Sequence, residues 1–187
     1  MGRIEVICGS MFSGKTEELI RRISKLEKTN LKYMVFKPDI DTRNKKNSIK
    51  SHDNIEIPAQ SVNNVADILN YKNKFDVIAI DEAQFFSNDI VRVCNELADS
   101  GIRVIIAGLD MDYSGKPFGP MPYLMAIAEE VIKLHAICSY TGNPALYSYR
   151  KLKNKDVVML GEKDEYEPLS REAFILKMKK NKLGNNT

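Results

Sequence analysis

Gly9-Ser10-Met11-Phe12-Ser13-Gly14-Lys15-Thr16 follows the pattern G-x-x-x-x-G-K-[ST], which reads as a loop that wraps the phosphates of a nucleoside triphosphate. Two glycines let the backbone bend until successive N–H groups face the phosphate oxygens. Lys15 supplies a mobile positive charge for the outer phosphates, and the Thr16 hydroxyl is a ligand for Mg²⁺. The flanks suit this reading. Arg3 to Cys8 is a short strand-like apolar run, and Glu17 to Ile23 carries helical periodicity. The helix opening near Lys15 then turns its positive dipole end toward the anion.

Outward from that stretch, strand and helix patterns alternate. Lys32 to Lys37 predicts a second strand closed by Pro38, and Asp39 to Asp53 a polar loop. Ile55 to Ile57 reads as a short strand and Val62 to Tyr71 has helix spacing. Val77 to Ile80 and Arg103 to Gly108 are continuous apolar runs, as expected of strands covered on both faces, with a helix from about Asn88 to Ala98 between them. The expected fold is therefore α/β, a doubly wound and mainly parallel sheet with its ligand at the carboxyl ends of the strands.

Leu109 to Met121 reads as a glycine- and proline-containing loop, and Tyr123 to Glu130 as a helix. Beyond Val131 the pattern changes to short alternating runs, Val131 to Cys138, Ala145 to Leu152 and Val157 to Leu160, joined by turns at 141–144 and 153–156. The expected organisation is a nucleotide-binding domain over residues 1–132, a small β-rich lobe over 133–170, and a C-terminal helix with a frayed tail over 171–187.

With 187 residues the chain can bury one core with a small appendage. A formal charge of +3 is too small to argue for nucleic acid. No run approaches the roughly 18 apolar residues that span a bilayer. The N-terminus shows no charged-then-apolar leader, and Val6 stands where a myristoylation signal needs Ser or Thr. Three scattered cysteines, Cys8, Cys94 and Cys138, fit a reducing compartment. A cytoplasmic location without membrane attachment is expected.

A second signal follows the Val77–Ile80 strand: Asp81-Glu82-Ala83-Gln84. An acid directly after a buried strand suits a water-mediated Mg²⁺ contact opposite Thr16. Glu82 is placed to accept a proton from an attacking hydroxyl or water.

Together, GSMFSGKT at Gly9 to Thr16, DEAQFF at Asp81 to Phe86, Gly108-Leu109-Asp110, Lys116-Pro117-Phe118-Gly119 and the later Tyr166-Glu167-Pro168 closely resemble the type II thymidine kinases. The resemblance runs from about Ile4 to Tyr166. It implies phosphorylation of the 5′-hydroxyl of thymidine (or deoxyuridine) by ATP and Mg²⁺, in nucleotide salvage. It assigns Gly9, Ser10, Met11, Phe12, Ser13, Gly14, Lys15 and Thr16 to the ATP phosphates, with Asp81, Glu82, Ala83 and Gln84 in the same nucleotide-binding stretch. Thr16 and Asp81 would hold Mg²⁺, and Glu82 would be the general base. Arg43, with Asp41 in an Asp-x-Arg pattern, would offset charge on the transferring group. The thymine pocket would draw on Met11, Phe85 and Tyr113, and Asp41 would be a further substrate-binding residue. A segment folding over the substrate, the lasso, would use Ser148, Val157, Val158, Met159, Leu160, Gly161 and Tyr166. A homotetramer and feedback inhibition by dTTP are implied as well.

One departure concerns zinc. The resemblance implies a structural zinc on two Cys-x-x-Cys pairs, but those positions here read Cys138 with Thr141 and Ser170 with Ala173. Cys138 and nearby His135 supply at most two of the four ligands needed. Structural zinc is not expected, and packing by Tyr140, Tyr147, Tyr149 and Leu152 is expected to hold the lobe. The alternative is a nucleic-acid-dependent ATPase, since Asp81 to Gln84 also resembles a helicase-type acidic box. The absence of a second motor domain and of a basic stripe argues against it.

Overall fold

The computed structural model describes residues 2–41, 48–50, 55–151 and 165–183, without the side chains of 181–183. The chain runs β1 (Arg3–Gly9), α1 (Lys15–Ser24), β2 (Tyr33–Pro38), β3 (Ser48–Lys50), β4 (Glu56–Pro58), β5 (Gln60–Val62), β6 (Val77–Ile80) and α2 (Asp89–Asp99). It continues through β7 (Arg103–Gly108), α3 (Met121–Ile127), β8 (Glu130–Leu134), β9 (Ala136–Ile137), β10 (Pro144–Ala145), β11 (Tyr147–Arg150), β12 (Tyr166–Leu169) and α4 (Arg171–Leu183).

Six strands form one sheet in the order β5-β2-β6-β7-β1-β8. Every pairing within it is parallel. Strands with apolar side chains on both faces need cover on both, and they have it. Ile4, Val6 and Cys8 of β1, Ile78 and Ile80 of β6, and Val104 and Ile106 of β7 pack with Ile90, Val93 and Leu97 of α2 and Leu124 of α3. The alternate residues, Ile7, Val77, Ala79, Ile105 and Ala107, pack with Leu19, Ile20 and Ile23 of α1.

Glu5 interrupts the apolar run of β1. It is fully buried and accepts from Arg103 Nε and Nη2 at 2.7 and 2.9 Å, from Arg22 Nη1, and pairs with Arg3 Nε at 2.7 Å. Burial pushes the carboxyl upward, but Arg103, then Arg22 and Arg3, outweigh it and hold Glu5 below the ordinary carboxylate range. The acid fastens α1 to two strands of the sheet.

Strands β9 to β12 build a lobe at one edge. β9 pairs antiparallel with β10, and β11 with β12. Their core joins Ala136, Cys138, Ala145, Tyr147, Tyr149 and Leu169 to Ala173 and Phe174 of α4. Tyr147 stacks on Phe174 with centroids 4.4 Å apart and planes at 17°.

Several local expectations are corrected. The run from Val131 to Cys138 is divided: Glu130–Leu134 is the sheet's edge strand, in register with β1, and only Ala136 onward belongs to the lobe. Helix α3 consequently stops at Ile127, short of Glu130, because the backbone must extend to join β1. Part of the expected polar loop is strand, since Ile49 pairs with Ile57 and is buried beneath α1. The helix spacing from Val62 resolves into the end of β5 and a 3-10 helix over Val65–Tyr71, capped by the Asn64 side chain. Tyr140 is exposed rather than part of the lobe core, and its ring carries the Lys177 ammonium at 4.3 Å. An amphipathic ring is satisfied by such a cation at the surface. Leu152, the strand expected at Val157 to Leu160 and the turn at 153–156 lie outside the described residues.

Candidate active site

The loop between β1 and α1 bends where the sequence permits it. Gly9 has φ +145°, and a Cβ there would stand 2.2 Å from the Leu134 carbonyl oxygen, so no side chain fits. Phe12 takes φ 65° and Gly14 φ 83°, the latter as N-cap of α1 without a side-chain cap. The first turn of the helix therefore presents backbone N–H groups to the loop. Lys15 Nζ donates to the Ser10 carbonyl at 2.8 Å. The buried Ser13 hydroxyl finds no partner among the described residues. An oxyanion in the loop would satisfy it.

Asp81 follows β6, which β7 separates from β1. Thr16 Oγ1 nevertheless donates to Asp81 Oδ2 at 3.2 Å, so the start of α1 reaches over the end of β7. Asp81 Oδ1 accepts the Glu82 N–H at 3.0 Å. Glu82 has φ 52°, a left-handed conformation uncommon for glutamate, at the start of a 3-10 turn spanning Ala83–Phe85. Its carboxylate accepts from Gln84 Nε2. Gln84 is 2% exposed and Ala83 fully buried, so Ala83 turns its methyl group to the sheet core. A hydroxyl and a carboxylate in contact beside an anion loop are hard oxygen donors that suit Mg²⁺. Thr16 and Asp81 therefore fit that ion.

The lobe is tied to this loop. Ser10 Oγ donates to the Ala145 carbonyl at 3.0 Å, and the Met11 N–H donates to Ser148 Oγ at 2.9 Å. Phe12 packs against the lobe core. Tyr113 and Tyr166 meet through Arg150, whose guanidinium lies 3.9 Å from the Tyr113 ring centroid and whose Nε donates to the Tyr166 hydroxyl at 3.1 Å. Phe85 meets Phe118 edge-on at 5.6 Å. Asp41 is buried in the turn after β2, at the sheet end that also carries Asp81.

Of the residues expected at the site, Gly9 to Thr16, Asp81 and Glu82 come together, Met11 meets Ser148, and Tyr113 and Tyr166 meet through Arg150. Arg43 and Val157 to Gly161 lie outside the described residues. Sequence reading missed Arg150 and the fully buried Lys37 near the end of β2, and quoted Phe118 in a motif without giving it a role. Lys37 sat inside a strand pattern, where a lysine ordinarily faces solvent.

The four positions that correspond to the zinc pairs carry one thiol, two hydroxyls and a methyl group that cannot bind metal. Thr141 Oγ1 donates to Ser170 Oγ at 3.1 Å. Burial pushes the Cys138 thiol upward, but hydrogen bonds from Thr141 and from the Ser170 and Tyr140 backbones overcome this and lower it to about 6. His135 is exposed. This donor set does not fit tetrahedral zinc.

The sequence profile of the thymidine kinase family matches residues 2–174. The chain belongs to the thymidine kinase family. Among curated relatives, the thymidine kinase of Bacteroides thetaiotaomicron is 55% identical over 174 residues, 93% of this chain and 87% of the relative. That of Porphyromonas gingivalis is 51% identical over 92% of this chain and 85% of the relative. That of Rhodothermus sp. is 49% identical over 93% of this chain and 82% of the relative. In this thymidine kinase family chain the matched span takes in the phosphate loop, the acidic turn and the lobe. No helix among the described residues is long and apolar enough to cross a membrane.

Proposed function

We propose that the chain transfers the γ-phosphoryl group of ATP to the 5′-hydroxyl of thymidine or deoxyuridine, giving the 5′-monophosphate and ADP. The observation that carries this reading is the contact of Thr16 with Asp81, with Glu82 next in the chain, in a member of the thymidine kinase family.

The bond that forms joins the 5′-oxygen to the γ-phosphorus, and the bond that breaks joins that phosphorus to the β–γ bridging oxygen. Glu82 takes the hydroxyl proton. The amides of Gly9 to Thr16 and the Lys15 ammonium hold the phosphates and offset their charge, with Arg43 assisting. Asp81 and Glu82 face the nucleotide, with Ala83 and Gln84 behind them in the same stretch of chain. Thr16 and Asp81 would hold Mg²⁺, which would neutralise charge on the phosphate oxygens when bound. Met11, Asp41, Phe85 and Tyr113 take the nucleoside, and Ser148, Val157 to Gly161 and Tyr166 close over the base. An aromatic wall suits a planar pyrimidine.

We further propose a nucleotide-binding domain, a lasso lobe that contains no zinc, and a C-terminal helix. A homotetramer in the cytoplasm, inhibited by dTTP at the substrate site, completes the reading. The deciding assay incubates purified protein with ATP, Mg²⁺ and a panel of labelled nucleosides. Thymidine monophosphate is expected. ATP hydrolysis stimulated by single-stranded DNA, without a labelled monophosphate, would sink the proposal.

A further inference from the structure

Gln84 is buried between two elements, and its side chain is bonded at both ends. Its Nε2 donates to Glu82 Oε2, and its Oε1 accepts the Leu109 N–H at 2.9 Å. These partners fix the amide orientation, because the reverse would set carbonyl against carboxylate and N–H against N–H. Its backbone is gripped too. Gly119 has φ +50°, and a Cβ there would lie 2.3 Å from the Gln84 carbonyl oxygen. The loop from Leu109 to Gly119 thus closes on Gln84 at both ends, while the adjacent Phe85 meets Phe118 of that loop.

Glu82 needs such support. Its left-handed backbone is a conformation that persists only where neighbours determine it. A hydrogen bond to one carboxylate oxygen sets the plane of the group. We infer that Gln84 is a positioning residue for Glu82, joining that carboxylate to the Leu109–Gly119 loop, and makes no side-chain contact with the nucleotide. The inference rests on the reading of Glu82 as the base. It deepens that reading by naming what orients the base and ties it to the loop.

Gln84→Met keeps the length of the side chain and removes both hydrogen bonds. The expected result is a fall in kcat of roughly 10- to 100-fold, as for a displaced catalytic group, with the KM for ATP and the Kd for a non-hydrolysable ATP analogue within about twofold of the parent. In a Glu82→Gln background the same change should have little further effect on kcat, because coupled residues are non-additive. Gln84→Leu also removes the amide donor without adding charge, so it serves if the methionine variant folds poorly, and it too should lower kcat with ATP binding intact.

A variant with parental kcat would overturn the inference. So would about tenfold weaker binding of the ATP analogue with kcat retained, which would make Gln84 a nucleotide contact. The base reading fails separately, if Glu82→Gln alone leaves kcat unchanged.

Discussion

Thr16 Oγ1 and Asp81 Oδ2 are 3.2 Å apart although 65 residues separate them in sequence and β7 lies between their strands. The crossing is possible because α1 starts above the sheet end rather than beside its own strand. The contact joins the two motifs that sequence alone reads as phosphate and metal handling.

Asp81→Asn keeps the shape of that contact and removes the charge. We expect kcat to fall by roughly 100- to 1,000-fold, the scale of losing a charge-stabilising group, with the Mg²⁺ activation midpoint raised. Circular dichroism should be unchanged. Thr16→Ser retains the hydroxyl and should remain within a few-fold of the parent. Parental turnover by Asp81→Asn at parental Mg²⁺ would remove Asp81 from the proposed metal site.

Legibility followed locality. The loop at Gly9 to Thr16 and the turn at Asp81 to Gln84 are contiguous, and their backbone requirements are written into neighbouring residues. The parallel sheet was also legible, because strands buried on both faces read as unbroken apolar runs. Glu5 was not: an acid in an apolar run carries no mark of three arginines arriving from three elements. Glu130–Leu134 alternates like a strand, but alternation does not say whether β1 or the lobe is the partner. Arg150 depends on aromatic rings from the Leu109–Gly119 loop and from β12, contacts that no spacing rule anticipates.

The acids around Arg22 predict the response to low pH. A hydrogen bond from Arg21 pulls the Glu18 carboxyl down from the ordinary 4.5 to about 2, with burial opposing and Arg22 assisting. A depressed carboxyl contributes stability that is present above its unfolded pKa and disappears as pH falls through its folded one. Glu18→Gln should therefore be less stable than the parent at pH 7, by about 1 kcal/mol once solvent screening is allowed for. The difference should close between about pH 4.5 and pH 2. Glu5→Gln leaves buried Arg22 with part of its compensation removed and should cost about 3–5 kcal/mol. Urea melts across pH measure both, and a Glu5→Gln protein as stable as the parent would refute the fastening role.

Metal content tests the lobe. With hydroxyls at two of the four positions and a methyl group at another, the protein as purified should contain far less than one zinc per chain, and EDTA should leave its Tm unchanged. Thr141→Val removes the hydrogen bonds to Ser170 and Cys138 and should cost about 1–2 kcal/mol. One stoichiometric zinc by elemental analysis would overturn the zinc-free lobe.

Arg150 predicts a separation of the two substrates. Arg150 is 5% exposed, and its guanidinium lies over Tyr113 and holds the Tyr166 hydroxyl, whereas the phosphate loop is reached from the lobe through Ser148 and Ala145. Lysine cannot reproduce a planar group that stacks on one ring while donating to another. Arg150→Lys should raise the KM for thymidine by roughly tenfold, on the scale of a lost charged hydrogen bond, and leave the KM for ATP within about twofold. Tyr166→Phe removes only the hydroxyl acceptor and should have a smaller effect of about threefold in the same direction, consistent with one hydrogen bond. Steady-state kinetics with each substrate varied in turn distinguish the outcomes. If Arg150→Lys weakens ATP and leaves thymidine unchanged, the Tyr113–Arg150–Tyr166 stack belongs to the nucleotide side, and the wall assigned to the base must be sought elsewhere.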